Sequence, residues 1–401
     1  MKRSLILSAC IVLWSSLEAR AETDGWNLAV SGDWNVAANW IPDTGAPNGD
    51  AATAIFGKNV TGDVAVNVDT ETTINKIVFD KTDGKYTIGG NNILTLAGTT
   101  PTIQVLTIGS HEISAPIAGT AGLSKTGTGE LILSGDNSGL SGGVNVNAGT
   151  LKLTGPNTYT GLTTVKAGTL LVNGTLASSV AAVTVGDGAT LGGIGTISRP
   201  LNTSSGSTIS PGDNGIGKLT IATPGNVTIS GTLLIDVSGA GAGSCDLFDA
   251  SQVMGKLDIT QEAVTFNVLS PLDDPAYVFV KYGSLNGTFS GVTNLLPAGY
   301  TINYSYAGNQ IALVPVPEPS TLVLLGMGAI GLLGWAWRRR RGPVRVDRTG
   351  AVDPCAAGDR VGGAGRMDDP PEKVKGIALL AVAAGCQELA NQRTPLPKGE
   401  G

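Results

Sequence analysis

The sequence predicts an all-β chain wound as a parallel β-helix, a solenoid of short strands. Three observations carry this. Gly129-Glu130-Leu131, Gly149-Thr150-Leu151, Gly168-Thr169-Leu170 and Gly188-Ala189-Thr190-Leu191 set their leading glycines 20, 19 and 20 residues apart, and a fixed period near twenty marks stacked coils. Each glycine precedes a strand-like run (Leu131-Ile132-Leu133, Leu151-Lys152-Leu153, Leu170-Leu171-Val172), in which alternate side chains can enter a narrow core. Cys245 is the only cysteine between Glu22 and Pro319, so no disulfide staples that region and stability must come from stacking and burial. The frame of a leucine-rich repeat is absent, and a sandwich has no reason to repeat its sequence.

The elements follow in order. Residues 1–21 read as a signal peptide: Lys2-Arg3 is the basic start, Ser4 to Leu17 is mostly apolar, and Ala19 and Ala21 form the cleavage site, so the mature chain should begin near Glu22. A lipoprotein reading at Cys10 leaves too short an apolar run before the cut. Residues 22–122 read as the N-terminal cap and first coils. Trp26, Trp34 and Trp40 fall within 15 residues. They either bury the first coil, whose strand edges need a cap, or stack on sugars as exposed rings. Residues 123–235 are the repeat solenoid. Residues 236–314 lose the period but keep β patterning, as in Tyr277-Val278-Phe279-Val280, and read as the last coils and C-terminal cap.

Residues 315–341 hold three parts with three physical jobs. Val316-Pro317-Glu318-Pro319-Ser320 is an extended hinge, because its prolines continue neither a helix nor a ladder. Residues 321–337 carry no charge over 17 residues, about 25 Å as a helix, and read as a transmembrane span with tryptophans at the headgroup level. Arg338, Arg339, Arg340 and Arg341 form a cytoplasmic stop-transfer cluster, which places the preceding domain outside. A plain membrane anchor accounts for the helix and the arginines but not for the tripeptide. For residues 342–401 two readings stand: a disordered cytoplasmic tail, or an error in the gene model.

The order of the three parts closely resembles the PEP-CTERM sorting signal of Gram-negative bacteria. That resemblance implies recognition by an exosortase, a membrane-embedded cysteine transpeptidase, and a cut near Pro317-Glu318-Pro319. Asn147-Ala148-Gly149-Thr150-Leu151, Tyr159-Thr160-Gly161 and Ala167-Gly168-Thr169-Leu170 resemble the autotransporter-associated β-strand repeat, over roughly Gly25 to Val314. This is specific for architecture and poor for activity, because such solenoids serve many functions. True autotransporters finish in a transmembrane barrel. This chain has no aromatic residue after Trp337, so export by signal peptide and anchor is expected.

From Glu22 to Pro319 there are 11 Lys+Arg against 23 Asp+Glu, a net charge of −12, which argues against nucleic acid as a partner. No cofactor or metal is expected: the only histidine is His111 and no C-x-x-C occurs. Gly139-Leu140-Ser141-Gly142-Gly143 fits G-x-S-x-G without its strand–elbow–helix context. Gly326 to Gly331 fits G-x-G-x-x-G inside the apolar run, where no βαβ unit forms. The best acids for a lyase or hydrolase are Asp246, Asp249, Asp273 and Asp274, with Lys256 and Lys281 nearby in sequence; all four acids also suit turns. The expectation is a non-enzymatic surface or extracellular-matrix protein, transiently anchored, sorted by an exosortase-type transpeptidase and associated with exopolysaccharide. The alternatives are a glycan-binding adhesin and a β-helical polysaccharide lyase or hydrolase.

Overall fold

The computed structural model describes residues 23–316, apart from positions 28–29, 44, 58–60, 178 and 240–243, and a helix at 319–340. The expected all-β parallel solenoid is what forms, and it has three faces. The first face stacks Thr53–Phe56, Lys76–Phe79, Thr102–Val105, Leu123–Thr126, Val144–Val146, Thr163–Val165, Val183–Val185 and Leu201–Thr203 in parallel. The second stacks Val64–Asn67, Tyr86–Gly89, Ser110–Ile113, Glu130–Leu133, Thr150–Leu153, Gly168–Val172, Ala189–Gly193 and Thr208–Pro211. The third is a four-stranded sheet that ends at Gly139–Leu140, followed by an eight-stranded sheet that begins at Pro156–Asn157.

The repeat has a direct cause in this geometry. Leu131 pairs with Leu151, Leu151 with Leu170 and Leu170 with Leu191. All four are fully buried, so one apolar row runs along the axis at about 4.8 Å per rung. Burying each such side chain contributes roughly 1.5–3 kcal/mol. The glycines turn the corners between rungs. Gly149 has φ +64°, and a Cβ there would come within 2.4 Å of the Gly127 carbonyl oxygen one rung away. Both the backbone conformation and the stacking therefore exclude a side chain.

The period breaks where the strands lengthen. Val227–Val237 and Leu257–Val268, of 11 and 12 residues, each run across two faces. Val227–Val237 pairs with Leu201–Thr203 at one end and with Thr208–Pro211 at the other. The solenoid ends in antiparallel pairing: Gln310–Pro315 lies between Tyr277–Tyr282 and Tyr300–Tyr306. One compact unit reaches to Glu318 and a second begins at Pro319.

Candidate functional site

The processing segment leaves the cap directly. Ile311, Ala312 and Leu313 in the middle strand of the cap are fully buried. The Val316 amide then donates to the Gly299 carbonyl at 2.8 Å. The ordered β-domain therefore runs up to the residue before Pro317, with no spacer. Pro317 and Glu318 lie outside the described residues. Pro319 and Ser320 open the helix Pro319–Arg340, a position where proline costs no hydrogen bond. Arg338, Arg339 and Arg340 close it; Arg341, Ala19 and Ala21 lie outside the described residues, as does the whole of 342–401.

The transmembrane expectation for 321–337 needs correction. The segment is helical, but among the described residues no helix is long and apolar enough to cross a membrane. Within that stretch Met327, Ile330, Leu332 and Leu333 are each exposed by 67 to 71 %.

The tryptophans act as core. Trp26 is 5 % exposed and Trp34 and Trp40 are 0 %. Trp40 meets Trp26 edge-on at 5.1 Å and Trp34 at 5.0 Å. The indole N–H groups of Trp34 and Trp40 donate to the carbonyls of Pro47 at 3.1 Å and Trp34 at 2.6 Å. Sugar stacking needs exposed rings, and here all three are closed over the first rung. Phe56, Phe79, Tyr86 and His111 continue the column, with Phe79 and His111 stacked at 4.6 Å. His111 is fully buried and its Nδ1 accepts the Tyr86 amide at 3.0 Å. Burial, with the positive charges of Lys81 and Lys85 adding to it, pushes its pKa down to about 4. This places the histidine as a core ring, not as a base for Ser141.

Sequence reasoning missed three buried cations. Lys125 Nζ donates to the carbonyls of Thr126, Gly127 and Ala148 at 3.0 to 3.1 Å. Arg199 donates to the carbonyls of Ala177 and Gly161 at 2.9 Å and to that of Tyr159, with its guanidinium 4.4 Å from the centroid of the Tyr159 ring. Lys81 donates to the Gly62 carbonyl and lies over the Tyr86 ring. Each ties down corner carbonyls that the ladders leave over. The signal for Lys125 was present, since it occupies the inward position two residues after Leu123.

The candidate acids do not converge. Asp246 is buried and accepts amides from Gly217 at 2.8 Å and Asp236 at 2.9 Å; desolvation outweighs those donors and pushes its carboxyl up to about 7. Asp249 lies 3.6 Å from Lys218 and accepts from Ser251. The Asp273 and Asp274 amides both donate to the Tyr277 hydroxyl at 2.9 Å. Only Asp274 and Lys281 share one groove, of about 680 Å³, with Lys218 and Cys245; Lys256 lines another. Among the described residues no group of three or more His, Cys, Asp or Glu is placed to hold a metal.

A second groove, of about 600 Å³, runs along the second face. Its floor holds Thr150, Thr169 and Thr190 in adjacent rungs. Its wall is a loop pinned by Asp213, which binds Lys152 at 3.0 Å and Asn173 at 2.7 Å.

Fold and processing segment together define a β-solenoid of repeated coils that leads straight into a C-terminal sorting segment. The comparisons agree with this class. Residues 315–341 match the PEP-CTERM protein-sorting motif. Residues 123–153 and 148–172 match the passenger-associated-transport-repeat. The adhesin BmaC autotransporter of Brucella suis biovar 1 (strain 1330) is 32 % identical over 31 % of this chain and 4 % of its own length, so the chain spans only a small fraction of that relative. The chain thus carries a PEP-CTERM sorting motif behind autotransporter-like repeats, features that point to an exported, surface-associated protein.

Proposed function

We propose that this chain is a non-enzymatic structural protein of a bacterial surface or extracellular matrix. It is exported by its signal peptide, held transiently at the cell envelope through its C-terminal segment, and processed by an exosortase-type transpeptidase near Pro317-Glu318-Pro319. The solenoid then serves as a rigid rod beside exopolysaccharide. The observation that carries this reading is the position of the sorting motif, directly behind a closed β-domain. A processing enzyme that needs extended backbone would find it in a proline-flanked stretch that opposes helix formation.

Mass spectrometry of cell-associated and released protein, in a host that encodes an exosortase, tests this. Chains that end near Pro317–Pro319 and begin near Glu22 are the expected products. Recovery only of chains that retain Arg338–Arg341 leaves a plain anchored protein instead. A second reading, a glycan-binding adhesin, is favoured by the likeness of part of the chain to a relative named as an adhesin. The threonine-floored groove on the second face is the surface to test, through binding of the producer's own polysaccharide by the parent chain and by Thr169→Val.

A further inference from the structure

The two ends of the solenoid differ in how they treat backbone edges. At the N-terminal end, Thr23–Trp26 has both edges occupied, by Trp40–Ile41 antiparallel and by Thr53–Phe56 parallel. The tryptophans seal the core behind it. At the other end, the first two faces finish in two-residue strands, Leu285–Asn286 and Gly291–Val292. The eight-stranded third face finishes in Tyr300–Tyr306, whose outer edge has no strand partner among the described residues.

That edge lacks the usual protection. Natural edge strands carry charges or proline, or are kept very short. Tyr300–Tyr306 has seven residues, none charged and none proline. Its register shifts only after Asn303, so Tyr300–Asn303 is a regular run of four, the length of many rungs in this solenoid. Its inner side chains are anchored: Tyr300 meets Tyr277 edge-on at 5.7 Å and Tyr304 lies 5.9 Å from Phe289. The loop that leads into the strand carries Leu295, 92 % exposed.

We propose that Tyr300–Asn303 is a self-pairing edge, and that two copies of this chain join tail to tail through it as an antiparallel β-ladder. The occupant is a second copy for reasons of symmetry and charge. An antiparallel pair of identical strands satisfies its donors and acceptors about a two-fold axis, a closed arrangement in which each copy offers the same patch. An uncharged edge lets the two copies meet without repulsion. The dimer thus joins the two solenoids through their C-terminal caps. This inference stands on the cap alone and does not depend on the sorting or matrix reading.

The test is sedimentation of the full chain in detergent, parent against Thr301→Lys. Thr301 is exposed, and two lysines brought across the axis repel. The expected result is twice the monomer mass for the parent and the monomer mass for the variant, with unchanged β circular dichroism. A monomeric parent at tens of micromolar overturns the proposal, and so does a variant that remains dimeric, since association then lies elsewhere. Hydrogen exchange of the parent supplies a readout that needs no variant. Amides of Tyr300–Asn303 should exchange faster on dilution through the dimer–monomer transition, and exchange independent of concentration also overturns it.

Discussion

At the scale of single residues, the solenoid is decided by which side chains can enter a column that offers one slot per rung. Leu151 is fully buried between Leu131 and Leu170. Leu151→Asp should lower stability by several kcal/mol, because the carboxylate enters an apolar row without a partner. Thermal melting of the exported protein checks this, and an unchanged midpoint would place residue 151 on the surface. Lys81, Lys125 and Arg199 show that the rule concerns satisfaction rather than polarity, since each buried cation donates to backbone carbonyl oxygen. Glu262 is the exception: it is buried, and neither side-chain oxygen has a hydrogen-bond partner. Burial raises its pKa well above the ordinary 4.5. The folded chain therefore keeps a proton that the unfolded chain has lost above that pH. Its contribution to stability falls as pH rises, by at most about 1.4 kcal/mol per pH unit. His111 acts in the opposite sense between about 4 and 6.5, where only the unfolded chain is protonated. Glu262→Gln separates the two: the variant should match the parent near pH 4 and melt higher than it at pH 8. An equal difference at both values would mean that Glu262 ionises in the fold.

At the scale of elements, the corner glycines, the aromatic cap and the terminal hairpin do different work. The glycines let rungs approach within a distance that no side chain permits. The cap removes an open end, and its energy is concentrated in three indoles. Trp40→Ala should cost about 3–5 kcal/mol, as for other large-to-small changes in a core. The loss should show first as faster amide exchange in Thr53–Phe56, the rung beneath. Equal protection there in parent and variant would mean that the cap does not support the first coil. The hairpin ends the third face and delivers Val316 in a fixed place. Its antiparallel sense reverses the coil direction, which stops the winding.

At the scale of the whole molecule, the chain is a β-solenoid followed by a separate helical unit, with the sorting motif across the boundary between them. Replacing Pro317-Glu318-Pro319 by three alanines removes the two residues that oppose helix extension. In a host with an exosortase, the parent should appear as a shortened product and the variant at full size while still membrane-associated. A variant shortened like the parent would mean that the tripeptide is not what the processing enzyme reads.

How much of this was legible in the sequence follows from how local each cause is. The period, the strand class and the sorting segment are local: a corner needs glycine, a rung needs alternation, and a proline pair announces itself. Period and alternation are therefore enough to predict a parallel solenoid over residues 123–235 with a motif behind it. The tertiary structure alone decided what the tryptophans do, because a cluster of rings looks the same in sequence whether it covers a core or faces a sugar. It alone showed that Asp246, Asp249 and Asp273 turn inward or bind their own turns instead of meeting in a cleft. It also revealed the carbonyl cages of Lys125 and Arg199, whose acceptors come from rungs up to 40 residues away. Those arrangements depend on which rung stacks on which, and stacking is set by the path of the whole coil.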